Sequence, residues 1–224
     1  GVTGVTSLAN TISLMAVLTS LNCRGNAIGV PGAQTLIKII ESSESLQFIV
    51  VGHPLPLKEP YVSNALDVSK KGLTPGDAII LAWWMKTPFS AALAHLAICQ
   101  NKIGSEGGTA LVEAINTSNL ESISIGKDLT LPIKGELDVP TLDASNQDID
   151  PGYMMILAWW LTTPAGAAIN SLALGSNPIG DEAMIQLLDV LKDVSLTSFD
   201  ISETNCGVST ATKLAELLAE ETNF

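Results

Sequence analysis

The chain contains the stretch LDVSKKGLTPGDAIILAWW at residues 66–84 and the stretch LDASNQDIDPGYMMILAWW at residues 142–160. The offset between the two stretches is constant (142 − 66 = 76), and the match continues without an insertion to Leu111 and Leu187. A fixed period over this length is typical of a tandem array of structural units. We therefore expect a single domain over residues 1–224, with duplicated units at roughly 63–138 and 139–214.

A shorter pattern of the form L-x-x-L-x-I/L-x-x-N-x-I-G lies inside each unit. Its copies begin at Leu18, Leu46, Ser63, Leu93, Leu120, Val139, Ile169 and Leu196. The L-x-L alternation places apolar side chains on one face of a short strand. The Asn, as at Asn101 and Asn177, has an amide that can bind backbone groups where the chain leaves the strand. The pattern predicts a strand in each copy, with Leu96 and Leu172 buried.

Helical signals follow the strand pattern in the longer copies. Asp181 and Glu182 precede an apolar run, and acidic side chains favour a helix N-terminus. Pro75 and Pro151 lie just before their apolar runs, where the missing N–H of proline is not needed. We therefore expect a helix after most strands.

The repeats resemble the ribonuclease-inhibitor-like class of leucine-rich repeat proteins over roughly residues 14–221. The phrase N-x-I-G-x-x-G-A-x-x-L at residues 26–36 carries this resemblance, and residues 75–84 and 129–134 also resemble algal and protist repeat proteins. The resemblance implies a right-handed α/β solenoid with a parallel sheet on the concave side and helices on the convex side. It implies protein binding and brings no catalytic motif.

Two repeats depart from this pattern because they are too short for a helix. The repeat that begins at Leu46 ends before Ser63, and the repeat that begins at Leu120 ends before Val139. Their prolines and alternating leucines favour an extended segment. We expect no helix in residues 51–62 or 127–138, so that two coils of the solenoid lack a helix.

A double tryptophan follows each short repeat, in a predicted helix that is apolar on all sides. Such a helix is typically buried. Two interpretations stay open: the rings fill the gap left by the missing helix, or they form an exposed patch that binds a partner protein. A tryptophan pair can also do both, with one ring buried and the other exposed. The candidate protein interface consists of Trp83, Trp84, Trp159 and Trp160.

The face predicted to be concave carries small and acidic side chains, with Phe48 as its one aromatic residue. Strong interfaces favour Trp, Tyr and Arg as anchors, so this face is the alternative interface. Its candidate residues are Asp67, His95, Asp143 and Asp200.

Charge and cysteine content restrict the class of protein. The chain has 23 acidic and 11 basic residues and a net charge of −12 at pH 7, which argues against binding nucleic acid or an anionic membrane surface. No run approaches the roughly 18 apolar residues of a membrane span. Cys23, Cys99 and Cys206 are too few for a disulfide framework. We expect a soluble intracellular protein, in the cytosol or inside an organelle.

No catalytic residue, cofactor or metal is predicted. His95 and Cys99 lie about 13 Å apart on an extended strand and cannot react as a pair. The oxygen-rich residues 143–150 lack the glycine and the closing glutamate of a calcium loop. We therefore expect a non-catalytic scaffold for protein–protein interaction. The alternative is an accessory subunit built permanently into a larger assembly, such as an organellar one, and an enzyme is a distant third.

Overall fold

The computed structural model describes residues 17–135 and 139–219. The strands are β1 (Ser20–Asn22), β2 (Phe48–Val51), β3 (His53–Pro56), β4 (Ala65–Asp67), β5 (His95–Ala97), β6 (Ser122–Ser124), β7 (Thr130–Pro132), β8 (Thr141–Asp143), β9 (Ser171–Ala173) and β10 (Ser198–Asp200). The helices are α1 (Gly29–Ser42), α2 (Pro75–Met85), α3 (Gly104–Ile115), α4 (Pro151–Leu161), α5 (Pro164–Ala167), α6 (Asp181–Leu191) and α7 (Val208–Ala219), and a 3-10 turn lies at Pro88–Ser90.

The strands of the described residues form three small sheets, not the single parallel sheet predicted. The strand orders are β1-β2-β3, β4-β5-β6-β7 and β10-β9-β8. β3 pairs antiparallel with β2, and β7 pairs antiparallel with β6, whereas the other neighbours are parallel. The prediction of a right-handed solenoid with one parallel sheet on its concave side is therefore wrong. The fold is a mixed α/β arrangement.

Prolines explain why the first sheet ends at β3. Leu57 N donates to Gln47 O at 2.8 Å, and Ile49 lies opposite Leu55. Because antiparallel neighbours alternate between bonded and non-bonded pairs, the nitrogens of Pro54 and Pro56 are the ones that face away from β2. A proline nitrogen cannot donate, so this edge offers no N–H to a further strand. We call residues 47–57 the first hairpin.

The second sheet ends at β7, where one of the two outward-facing nitrogens is prolyl. Ile133 N donates to Glu121 O at 2.7 Å, and Ile125 N donates to Leu129 O at 3.0 Å. The outward-facing nitrogens of β7 therefore belong to Thr130 and Pro132. Residues 121–133 form the second hairpin. The described parts of residues 51–62 and 127–138 contain no helix, but the extended segments predicted there reverse direction and pair as strands.

Buried asparagines tie consecutive repeats together. The Asn101 amide donates to Val68 O at 2.9 Å and Ile98 O at 2.7 Å, and its Oδ1 accepts from Leu73 N at 3.0 Å. Asn177 makes the equivalent set of bonds at the matching position of the second unit. Each copy of the pattern contains the predicted strand, and Leu96 and Leu172 are buried, so both predictions for the strand pattern are confirmed.

The helices begin where the sequence predicts them. Thr74 and Asp77 form a capping box before α2, with Thr74 N donating to Asp77 Oδ2 at 2.9 Å. The Asp150 carboxylate caps α4 by accepting from Gly152 N at 2.9 Å.

The core includes residues from Leu21 to Leu217, and successive helices α1, α2, α3 and α4 pack on one another. A Cβ on Gly108 would overlap the carbonyl oxygen of Gly152, so glycine allows α3 and α4 to approach closely.

None of the helices within residues 17–135 and 139–219 is both long and apolar enough to cross a membrane.

Candidate protein-binding surface

Trp84 and Trp160 belong to the core. Both have no exposed area, and their indole nitrogens donate to prolyl carbonyls at the hairpin edges. Trp84 Nε1 lies 2.8 Å from Pro56 O, and Trp160 Nε1 lies 2.7 Å from Pro132 O. Because a fully buried ring presents no surface to a partner, the predicted interface does not include these two tryptophans. Their indole rings instead contact the prolyl carbonyls on the outer edges of β3 and β7.

Trp83 and Trp159 point the other way and stay partly exposed. Each indole nitrogen reaches across the short repeat to the preceding helix or the residue that follows it: Trp83 Nε1 donates to Glu41 Oε1 on α1 at 2.9 Å, and Trp159 Nε1 donates to Asn116 Oδ1, just after α3, at 3.1 Å. These bonds hold neighbouring helices together. For this pair of rings, the proposed interface stays a prediction.

The alternative residues lie on the exposed face of the sheets. Asp67, Asp143 and Asp200 each end a strand and accept from the backbone N–H two residues later, at 2.8 to 3.0 Å. Bonds from Ser202 lower the pKa of the Asp200 carboxyl. His95 Nδ1 lies 2.9 Å from Ser122 Oγ. Asp67 and His95 belong to the second sheet, whereas Asp143 and Asp200 belong to the third, and each of the three aspartates bonds the backbone of its own turn.

A polar cleft of about 620 Å³ opens beside Asp67 at the ends of β4, β5 and β6. Its lining includes Lys70, Gln100, Lys127 and Asp128. The Lys127 ammonium lies 3.1 Å from Asp148 Oδ2 and lowers the pKa of that carboxyl. The described residues contain no group of three or more His, Cys, Asp or Glu that could hold a metal ion.

A second cleft, of about 510 Å³, is mainly apolar and lies against the first hairpin. We call it the hairpin cleft, and its lining includes Phe48, His53, Pro54, Pro60, Tyr61 and Val62. Phe48 is 39% exposed and Val62 is 96% exposed. Large apolar side chains left open around one concave surface are typical of a binding site.

Edge-to-face contacts between aromatic rings fix the shape of the hairpin cleft. The Tyr61 ring packs edge-on against buried Trp84, with centroids 5.6 Å apart, and the His53 ring packs edge-on against Tyr61 at 6.0 Å. Tyr61 Oη also donates to Ala65 O at 3.1 Å, and Tyr61 N donates to Phe89 O at 2.8 Å. Burial raises the pKa of the Tyr61 hydroxyl. Tyr61 therefore forms a fixed wall connected to the core.

The charged groups at the rim of the hairpin cleft are Glu44, Lys58 and Glu59. The Lys58 ammonium donates to Ser43 O at 3.0 Å and so clamps the hairpin to the segment that follows α1. Neither glutamate forms an ion pair within the described part of the chain. The rim therefore has a net negative charge.

The sequence pattern does not predict the hairpin cleft. In the sequence, Phe48 is one aromatic residue on a polar face, His53 is a surface histidine, and nothing distinguishes Tyr61 or Val62. The available signal is Pro54-Leu55-Pro56, because prolines at alternate positions of a strand mark an edge that cannot be extended.

No protein-family model matches this chain, and a search of curated proteins finds no significant match.

Proposed function

We propose that the protein is a non-catalytic protein-interaction module that holds its partner at the hairpin cleft. The observation that carries the proposal is the exposure of Phe48 and Val62 around a concave, mainly apolar surface. Exposed apolar side chains lose contact with water when a partner covers them, which favours association. The fixed position of Tyr61 against Trp84 reduces the entropy lost on binding.

The chemistry of the side chains supports binding more than catalysis. His95 contacts Ser122 Oγ, and Cys99, two residues after the end of β5, is a buried residue with 8% exposure. Catalytic cysteines require an accessible thiolate. The net charge of −12 favours a partner with a basic surface and disfavours nucleic acid.

A second candidate function is that of a permanent subunit of a larger assembly. It is favoured by α7, where Val208 is 82% exposed and Leu218 is 59% exposed. Strand β10, which precedes this helix in the chain, lies at the edge of its sheet, and an open edge can pair with another chain. Purification followed by light scattering separates the two functions. A stable monomer in light scattering supports the interaction module, whereas obligate co-purification with other proteins supports the subunit.

The proposed interface is tested by affinity capture from the native source with three baits. The baits are the unaltered chain, Phe48→Ser in the hairpin cleft and Ser122→Ala in the second hairpin. Ser122 is the matched control because it lies opposite Pro132 as Phe48 lies opposite Pro56. Quantitative mass spectrometry compares the proteins retained by each bait.

We expect one set of proteins to be retained by the unaltered chain and by Ser122→Ala and lost from Phe48→Ser. Equal retention by all three baits would place the interface elsewhere. Circular dichroism of the variants checks that each bait is folded.

A further inference from the structure

The backbone of the hairpin cleft restricts how a polypeptide can bind there. A peptide that adds a strand to a sheet relies on main-chain hydrogen bonds at the edge. The outward-facing nitrogens of β3 belong to Pro54 and Pro56, neither of which can donate. Pro56 O already accepts from Trp84 Nε1 at 2.8 Å. Of the backbone nitrogens and oxygens of Pro54 and Pro56, only Pro54 O can still bond a peptide backbone, so strand addition is disfavoured.

The side chains favour a ligand that binds through its rings and apolar groups. Phe48, Pro54 and Tyr61 provide rigid aromatic and prolyl surfaces, and Tyr61 is held perpendicular to Trp84. A polyproline II segment has no internal hydrogen bonds and keeps its backbone solvated. It docks against aromatic surfaces without a hydrogen-bond ladder, and its preformed shape lowers the entropy lost on binding.

The rim adds a preference for positive charge. Glu44 and Glu59 are exposed at the hairpin cleft, while the ammonium of Lys58, the third charged residue at the rim, is engaged with Ser43 O. A Lys or Arg near the apolar residues of the ligand would meet these carboxylates. The overall charge of −12 attracts the same kind of ligand over a longer range.

We infer that the hairpin cleft binds an extended, proline-containing peptide segment that carries a Lys or Arg beside its apolar residues. This inference rests on the proposed function and names the chemistry of the partner at the same site.

Fluorescence anisotropy with three labelled synthetic peptides of equal length tests the inference. The first contains Pro-x-x-Pro with an adjacent Arg, the second replaces that Arg by Glu, and the third replaces the prolines by Val and Thr but keeps the Arg. We expect the first peptide to bind at least about tenfold more tightly than either of the others. Tightest binding of the Val/Thr peptide would overturn the inference, and so would no binding of any peptide.

Three variants locate the binding of the first peptide. Phe48→Ser should weaken it by about tenfold or more, because Phe48 is the large exposed aromatic residue of the cleft. Glu59→Lys should weaken it by a few fold and should narrow the preference for the Arg peptide over the Glu peptide. Because Glu59 is exposed, this substitution tests the site without disturbing the core. Ser122→Ala should leave the affinity unchanged, and an equal loss in all three variants would overturn the inference.

The outcomes separate this inference from the proposed function. If Phe48→Ser loses its captured proteins but no proline-containing peptide binds the unaltered chain, the interface stands and the ligand chemistry is wrong. If Phe48→Ser affects neither measurement, both proposals fail.

Discussion

The first and second hairpins are alike on their buried side. Ile49 and Leu55 in the first hairpin correspond to Ile123 and Leu131 in the second, and all four side chains are buried. In each case a tryptophan indole donates to the prolyl carbonyl at the edge. Lys58 and Lys134, which follow the two hairpins at equivalent positions, donate to the backbone oxygens of Ser43 and Asn119. The duplication has retained the contacts that hold each hairpin in place.

The exposed sides of the two hairpins differ. The first carries Phe48, Val50 and Pro54, whereas the second carries Ser122, Ser124 and Thr130 at the same register positions. In the second hairpin, Ser124 Oγ and Thr130 Oγ1 lie 2.7 Å apart and form a cross-strand polar pair. Since the buried contacts are shared, folding does not require the apolar face of the first hairpin. This difference is why we assign binding to the first hairpin.

The largest expected effect tests the similarity of the two buried sides. Leu55→Ala and Leu131→Ala each truncate a side chain with no exposed area. Each should lower the free energy of unfolding by about 2–5 kcal/mol, the usual cost of such a core truncation. Urea denaturation measures both variants. A cost below about 1 kcal/mol in one hairpin alone would show that the two cores are not equivalent.

The next effect concerns the tryptophan bonds at the two edges. Trp84→Phe and Trp160→Phe remove the donors to Pro56 O and Pro132 O. An unsatisfied buried acceptor costs about 1–3 kcal/mol, so Trp84→Phe should lower the free energy of unfolding by about this much in urea denaturation. Trp160→Phe should lower it by less, because the bond to Pro132 O is only partly buried. If either variant is as stable as the unaltered chain, water replaces the indole at that edge and the capping role is wrong.

A smaller stability effect separates the exposed side from the buried side. Phe48→Ser removes a ring that is 39% exposed, so it should cost about 1 kcal/mol, well below a full core truncation. The same variant should lose most of its binding. Thermal unfolding followed by circular dichroism measures the first quantity. A loss as large as that of Leu55→Ala would make Phe48 a core residue and weaken the binding assignment.

The smallest effect concerns the turn of the second hairpin, which the next repeat holds in place. Lys127 pairs with Asp148 at 3.1 Å, and Asp128 N donates to Gln147 Oε1 at 2.8 Å. The bond from Lys127 lowers the pKa of the Asp148 carboxyl below its ordinary 3.8. The stabilisation is therefore present above pH 3.8 and is lost as the pH falls through the lowered pKa.

Because this pair is exposed, we expect only a local change in the turn. The amide resonance of Lys127 should shift below pH 3.8 in NMR titrations, and Asp148→Asn should remove the part of this shift that comes from the ion pair. A shift centred above 3.8 would contradict the lowered pKa.

Much of the local structure was predictable from the sequence. The L-x-L strands, the prolines that begin α2 and α4 and the amides of Asn101 and Asn177 are all local signals, since each depends on residues close in sequence or on the repeat itself. The direction of β3 was not predictable in the same way. An extended segment with alternating prolines fits a strand of either direction, and its pairing depends on the turn at Gly52, where φ is +68°.

The hairpin cleft and the roles of the tryptophans depend on tertiary contacts. Adjacent residues of a helix face different directions, so one ring of each pair had to be buried less than the other. The sequence did not indicate which one. Trp84 is covered by the edge of the first hairpin and by Tyr61, whereas Trp83 reaches Glu41 on α1. Both arrangements require the positions of segments distant in sequence.

Photo-crosslinking from defined positions shows which surface of the protein contacts its partner. A photoreactive phenylalanine analogue is placed at position 48 in the hairpin cleft, at position 122 in the second hairpin or at position 83 on α2, and each protein is irradiated with its captured partner. We expect a covalent adduct from position 48 and none from position 122 or 83. An adduct from position 83 or 122, with none from position 48, would contradict this expectation and move the interface to the helices or the second hairpin.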